Sequence, residues 1–512
     1  MSTRNWNKER AEARIRAKIE KAPLRVIEIK PYVRDTDLSG LPATVAYRVH
    51  GVHLYADILN LQEILNTKDF EGEMLHRRVL RFLNLQYRAV HRILQSEDAL
   101  LIDFHNQRLH SVVAKPYDDE KKRIHRAIAI SQLIVDVLAQ TGEDADHPPA
   151  KVRIGIDTGS ALAVNNGRRG HREPLFLGEP ANLAAKRASG GTKAGIFLTN
   201  NARKAIGLAA LANVDTTPLS ADEIAASQKI ANLNLGFDKV VRDWKADLAA
   251  HPIGKFEFSG HTPPMATLDI ETLSAANSRR LDAATVYGDI DGFTKYVGDH
   301  IGTDAGAKHV VRTLLVLRSE LDAVLHEDFK GRKVRFIGDC IHGLLAEGTA
   351  QNTDAEETIN TMILCAGGMR SSFDLALALL KQNGTDATAL GLQLGFEYGP
   401  TPVTRLGMKG ELIRCSVSRS VLAAEAEQGR CGGAETAIGE TAHKKASAAG
   451  KALFDSTRKR KGLSYQVALT ALSAHARGSS GSGSLLKAAS TASAPYAFAN
   501  RAAGPAKPDG FA

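Results

Sequence analysis

A repeat constrains what this chain can fold into more than any other feature of it. Val52-His-Leu-Tyr-Ala-Asp57-Ile58-Leu59 reads as an apolar strand delivering an aspartate near its end, and Val286-Tyr-Gly-Asp289-Ile290 reads the same way. A helical stripe follows each strand. Val79, Leu80, Leu83, Val90, Ile93 and Leu94 form it in the first half, and Val310, Val311, Leu314, Leu321, Val324 and Leu325 in the second. Next comes another strand pattern, Leu100–Phe104 leading to Gln107 and Lys333–Ile337 leading to Asp339. Asp57 to Gln107 and Asp289 to Asp339 are both 50 residues, with no gap. A period of about 230 residues means one fold present twice in tandem.

The strand ends carry the chemistry. Asp289-Ile290-Asp291 closes an apolar run, and Gly292-Phe293-Thr294 then opens a helical pattern. Taken singly, Asp289 and Asp339 read as cap and turn residues. As a pair they read as two strands bringing carboxylates to one sheet end. Hard oxygen ligands side by side suit Mg²⁺ or Mn²⁺, which keep waters and take further ligands from a nucleotide's phosphates. The Gly292-Phe293-Thr294 turn would point backbone N–H groups at those phosphates.

The chain's 512 residues suffice for two to four domains, each with its own core. A 43% hydrophobic and 24% charged composition is that of an ordinary globular protein. No apolar run approaches the ~20 residues that span a bilayer, and the best, Ala127–Leu138, is broken by Asp136. Met1–Ala22 is charged and polar, unlike a secretory signal. The expectation is a cytoplasmic protein without a membrane partner. Cys340, Cys365, Cys415 and Cys431 show no paired spacing, so reduced thiols are expected. The net charge of +9 would attract nucleic acid or a nucleoside triphosphate alike. No nucleic-acid motif is present and aromatic residues are only 5%, so nucleic acid is not expected as a partner.

Tyr287-Gly-Asp-Ile-Asp-Gly-Phe-Thr294 and Arg335-Phe-Ile-Gly-Asp339 resemble the two metal-binding segments of the class III nucleotide cyclases, the adenylate, guanylate and related enzymes. A third segment resembles that family's remaining signature. It runs from Lys151-Val-Arg-Ile-Gly-Ile-Asp-Thr-Gly159 to Phe176-Leu-Gly-Glu-Pro-Ala-Asn182-Leu-Ala-Ala-Lys186-Arg187. The resemblance covers roughly residues 45–270 and 282–450. It implies an α+β fold of two tandem cyclase domains, ferredoxin-like (βαββαβ), paired head to tail as an intramolecular pseudo-dimer. The expected organisation is an N-terminal arm over 1–44, a degenerate domain over 45–272, a metal-binding domain over 282–455 and a disordered tail over 475–512. Within it, Arg4–Lys21 reads as a polar helix or loose arm, residues 254–271 as a closing hairpin, and 272–280 as a short linker.

Carried over by residue, the resemblance implies that the halves complement one another. The second half has both metal positions, Asp289 and Asp339, with Ile290 offering its backbone carbonyl; the first has Asp57 but Gln107. The first half has the ribose-positioning Asn182 and, for the cation at the α-phosphate, Lys186 or Arg187. The aligned residues of the second half are Arg419 and Ala423. Two divalent ions, Mn²⁺ or Mg²⁺, are implied as cofactors, and Gly292, Phe293 and Thr294 as phosphate contacts. The base-reading positions fall on Asp103 and Leu175, which match neither the adenine nor the guanine pairing. That pattern is similar to the bacterial Pycsar anti-phage pyrimidine cyclases. They make cyclic CMP or cyclic UMP for a downstream cyclic-nucleotide effector protein. Asp103 could accept from cytosine's exocyclic amine, so CTP is expected over UTP. The alternatives are a purine cyclase with an atypical base pocket and a non-catalytic nucleotide sensor. A monomer with an internal pseudo-dimer, or a homodimer, fits either case.

Overall fold

The computed structural model describes residues 4–34, 36–142, 148–166, 174–409 and 412–478. The repeat becomes two sheets built alike. In the first half the strands are β1 (Glu28–Pro31), β2 (Val45–Ile58), β3 (Leu100–His105), β4 (Arg108–Val113), β5 (Val152–Val164), β6 (Leu175–Leu177) and β7 (Gly195–Leu198). The second sheet has β8 (Phe258–Gly260), β9 (Ser278–Asp291), β10 (Arg332–Ile337), β11 (Cys340–Leu345), β12 (Gly391–Leu406), β13 (Ile413–Cys415), β14 (Glu435–Ile438) and β15 (Lys459–Lys461). The central orders are β3-β4-β2-β5 and β10-β11-β9-β12. β7 lies parallel to β5 and β14 parallel to β12, while β1 and β8 add in parallel to β2 and β9. This is the α+β architecture of two tandem cyclase-like domains.

The repeat's register is visible in side chains. Tyr55 on β2 faces His110 on β4, and Tyr287 on β9 faces His342 on β11. The rings stack at 4.0 Å and 4.5 Å between centroids. The hairpins that follow turn through left-handed backbone at Asn106 (φ 49°) and Gly338 (φ 58°), the two residue types that enter that region most readily. Gln107 and Asp339 occupy the next position in each turn.

Helices flank the sheets, several of them started by a side-chain cap where the chain turns. Asp119 accepts from the Lys122 N–H to begin Glu120–Ala139, and Asp354 accepts from the Glu357 N–H to begin Ala355–Gln382. Ala355–Gln382 is apolar and long enough to cross a membrane by length and composition, a feature missed in the sequence, yet it is mostly buried among the second half's strands and helices.

The halves exchange core residues. Leu406, Ile413, Cys415 and Val417 pack into the first half's core, while Ala46, Leu162, Val164 and Leu177 pack into the second half's. The far ends of the long central strands are therefore covered by the partner half, which fixes the head-to-tail arrangement. Burying such side chains is worth about 1.5–3 kcal/mol each, so this reciprocal contact is part of the fold.

Several expected boundaries move. The N-terminal arm is the helix Lys8–Lys21, whose Ile15 and Ile19 enter the second half's core. Its Arg14 donates to Glu320 at 2.7 Å and to Asp328 at 2.9 Å, so it is a packed strap rather than a loose arm. The hairpin expected over 254–271 does not form: β8 runs parallel to β9, because Met265, Leu268, Ile270 and Leu273 find their core against Leu281, Val334 and Val403. Residues 265–273, placed in the first domain and linker by sequence, pack on the second half, while Phe256 stays in the first half's core. β9 starts at Ser278, ahead of the expected 282, and β15 and the helix Tyr465–Gly478 extend the second half beyond 455. The tail was expected from 475; helix continues to Gly478, and 479–512 lie outside the described residues.

Candidate active site

The site is a slot between the halves, and its walls come from both. From the first half it is lined by Asp103, Leu175 and Asn182, and from the second by Phe293, Thr294 and Asp339. A wider cavity adjoins it, sharing Asp57, Arg108 and Ser189, and Asp289 lines that one. Thus six of the residues singled out from sequence meet in one place, with Asp289 at its border.

β9 and the β10–β11 hairpin place the carboxylates. Gly288 on β9 pairs with Ile341 on β11, so Asp289 follows the last paired residue while Asp339 sits in the adjoining turn. Both are nearly buried, 4% and 6% exposed. The Cys340 thiol beside Asp339 is pushed well above its ordinary value by burial first, then by Asp289 and Asp339, so both carboxylates act on it. Ile290 is fully buried on β9, where it can offer only backbone. Among the described residues no three His, Cys, Asp or Glu side chains gather into a metal cluster. Two carboxylates and a carbonyl leave positions for water and phosphate oxygens, a donor set that fits Mg²⁺ or Mn²⁺ and not a closed zinc site. Gly292 takes φ 78° at the turn, a conformation that favours glycine, and starts the helix Phe293–His300. Its N-terminus, at Phe293 and Thr294, faces the slot.

The helix Glu179–Ser189 supplies the opposite wall. Its first-turn carbonyl is that of Gly178, which accepts from the Asn182 N–H, so Asn182 is not the cap residue. Asn182, Ala185 and Ser189 line the slot, and Lys186 lies one turn after Asn182 without lining either cavity. Lys186 makes no ion pair among the described residues. Arg187, the other cation expected here, pairs with Asp215 at 2.7 Å and packs its Cβ beside Gly155. The buried Arg153 holds this end of the helix by donating to the Arg187 carbonyl at 2.7 Å.

The sequence alignment of the two equivalent helices needs correction. A Cβ on Gly155 would meet the Ala184 carbonyl at 2.1 Å, and one on Gly395 the Gln428 N–H nitrogen at 2.1 Å and the Ala424 carbonyl at 2.7 Å. Gly155 faces Tyr55 across the sheet and Gly395 faces Tyr287. The helices therefore align Ala184 with Ala424, which places Leu422 opposite Asn182 and Ala426 opposite Lys186, not Arg419 and Ala423. Arg419 is a structural clamp, donating to the carbonyls of Leu65 at 2.8 Å and Asp69 at 2.9 Å.

The pseudo-symmetric position differs in kind. Asp57 is 9% exposed, and burial pushes its carboxyl up to about 6, with Arg108 opposing and Glu425 adding to the shift. Arg108 pairs with Glu425 from the other half. An arginine and an uncharged Gln107 beside Asp57 do not make a divalent-cation site.

At the inner end of the slot, Asp103 pairs with Arg335, which comes from β10 of the opposite half. Arg335 was quoted in sequence only as part of a motif. Its role was legible in one signal: it occupies the position equivalent to Asp103, with the opposite charge. Tyr55, His105, His110 and Asn166 also line this end and were not singled out.

No family model matches the chain. It is 52% identical over 475 residues to a uridylate cyclase from Pseudomonas aeruginosa, covering 92% of each protein. It is 40% identical over 423 residues to a uridylate cyclase from a Rhizobium species, covering 78% of this chain and 79% of that one. Among solved structures it is similar to a class III adenylyl cyclase-like ATP-binding protein from Pseudomonas aeruginosa. The TM-score is 0.89 at 52% identity, over 92% of this chain and all of that one. Both sequence relatives are named for uridylate, and neither supports the expected preference for CTP.

Proposed function

This chain belongs to the class III nucleotide cyclase family, and we propose that it converts UTP to 3′,5′-cyclic UMP and pyrophosphate. The observation that carries the reading is the composite slot, in which Asp339 from one half faces Asn182 from the other. The choice of uracil rests on the relatives and replaces the cytosine expected from Asp103.

Asp289, Asp339 and the Ile290 carbonyl would hold two divalent ions, Mg²⁺ or Mn²⁺. When bound, they supply charge neutralisation at the triphosphate and a lowered pKa at the ribose 3′-hydroxyl. The chain's own groups do the rest. The N–H groups at Phe293 and Thr294 bind the phosphates at a helix N-terminus. Asn182 hydrogen-bonds the ribose and holds the 3′-oxygen in line with the α-phosphorus. The bond from the 3′-oxygen to the α-phosphorus forms as the bond to the bridging oxygen breaks, and Lys186 stabilises the charge on the α-phosphate oxygens. Walls from both halves exclude water, which favours attack by the ribose oxygen over hydrolysis.

The product would serve as a second messenger for a cyclic-nucleotide effector in anti-phage defence, in the cytoplasm. The test is incubation of the purified chain with each of ATP, GTP, CTP and UTP and Mn²⁺, with mass spectrometry of the products. Cyclic UMP from UTP is expected. Product from CTP alone would overturn the base and keep the pyrimidine class, whereas product from a purine nucleotide alone would overturn both.

A further inference from the structure

One carboxylate of the slot, at the position where the family resemblance expects the base to be read, is held from across the interface. Asp103 lies on β3 of the first half and lines the slot. Arg335 lies on β10 of the second half and is 2% exposed. Its guanidinium donates to the Asp103 carboxylate, to the Phe104 carbonyl and, at 3.2 Å, to the Arg414 carbonyl. A planar donor fork held at three acceptors fixes the plane of the carboxylate it pairs with. The strand that carries Arg335 continues through Gly338 to Asp339, so the base end and the metal end of the slot share one rigid segment.

The ligand chemistry then narrows. A carboxylate paired with a guanidinium presents only acceptor lone pairs to its other neighbours. Uracil carries one N–H donor, at N3, flanked by two carbonyl oxygens, whereas cytosine has an acceptor at N3. A carboxylate facing N3 accepts a hydrogen bond from uracil and opposes a lone pair in cytosine. We propose that Arg335 is the positioning residue for base selection, holding Asp103 across the interface where it accepts the uracil N3–H. The inference rests on the uridylate reading above and names the atom that reading turns on. It also makes selectivity depend on both halves, because the reader and the residue that aims it come from opposite domains.

The experiment compares UTP, CTP and 3-methyl-UTP, in which a methyl group replaces the N3 proton of UTP, in the full chain with Mn²⁺. Wild type should prefer UTP to 3-methyl-UTP by about tenfold or more in kcat/KM, the worth of one hydrogen bond to a charged group. Asp103→Asn should compress that ratio. Arg335→Gln should compress it too, and Arg335→Lys should restore part of it, whereas damage to folding alone would lower all three substrates together. If Arg335→Gln does not fold, Asp103→Asn and Arg335→Lys still give the ratio. Equal use of UTP and 3-methyl-UTP by wild type would overturn the inference, and so would an unchanged ratio in Arg335→Gln. A wild-type enzyme inactive on UTP but active on another triphosphate would instead overturn the uridylate reading.

Discussion

Asp57 is the sharpest test of the claim that the first half's metal position is idle. It is the residue equivalent to Asp289, yet it is buried beside Arg108 with burial raising its carboxyl from 3.8 to about 6. A carboxyl whose folded-state pKa is raised binds a proton more tightly in the folded chain than in the unfolded one. Stability therefore falls as pH rises between about 4 and 6, by roughly 1.4 kcal/mol per unit for this group. A shift of about two units amounts to about 3 kcal/mol that the ionised Asp57 costs at pH 7 and above. Asp57→Asn keeps the shape and removes the charge. Urea unfolding at pH 4.5 and at pH 8 should show the variant gaining on wild type by about 2 kcal/mol between the two conditions, because about 1 kcal/mol of the loss is already present at pH 4.5. The difference between variant and wild type isolates this group from Asp157, which burial also raises to about 6. A variant less stable than wild type at pH 8 by the same amount as at pH 4.5 would refute the argument. It would mean that the ionised carboxylate is compensated in place.

The two carboxylates proposed to hold metal should behave unlike their counterparts in the first half. Asp339→Ala should lower cyclisation by well over ~100-fold with circular dichroism unchanged, while Gln107→Ala should stay within a few-fold of wild type in the same assay. Lys186 and Arg187 should separate cleanly. Lys186→Ala should lower kcat by about 100-fold or more with little change in melting temperature. Arg187→Ala, which breaks the pair with Asp215, should lower the melting temperature and spare kcat. Equal kcat losses in the two would contradict the assignment of Lys186.

The repeat and both aspartate-bearing strand ends were legible because they are local. A strand that must end in a carboxylate, a glycine at a left-handed turn and a helix behind it all lie within a dozen residues of one another, as at Tyr287–Thr294. The hairpin spacing survived as well, since Asn106 and Gly338 satisfy the same backbone demand with different residues. What the sequence misplaced depended on contacts between distant segments. The register of the helix Glu179–Ser189 against its counterpart is set by Gly155 and Gly395, where the backbones nearly touch, and a motif match at Arg419 could not report that. The pair that engages Arg187 depends on Asp215, which sits on a separate loop. The segment from β8 to Leu273 reads as an end of the first domain because its short apolar runs name no partner; only Leu281, Val334 and Val403 do. That Arg335 and Asp103 pair with each other appears only once the halves are set head to tail.

The central claim is one working site made between the two halves of a single chain. Asp339→Ala removes a group that only the second half supplies, and Asn182→Ala removes one that only the first half supplies. Each variant should be inactive alone. Mixing the two purified variants at equal concentration and measuring product from UTP tests the claim directly. An intramolecular site predicts that the mixture stays at the background of the single variants. Recovery of about a quarter or more of wild-type activity would contradict it and place the working site between chains.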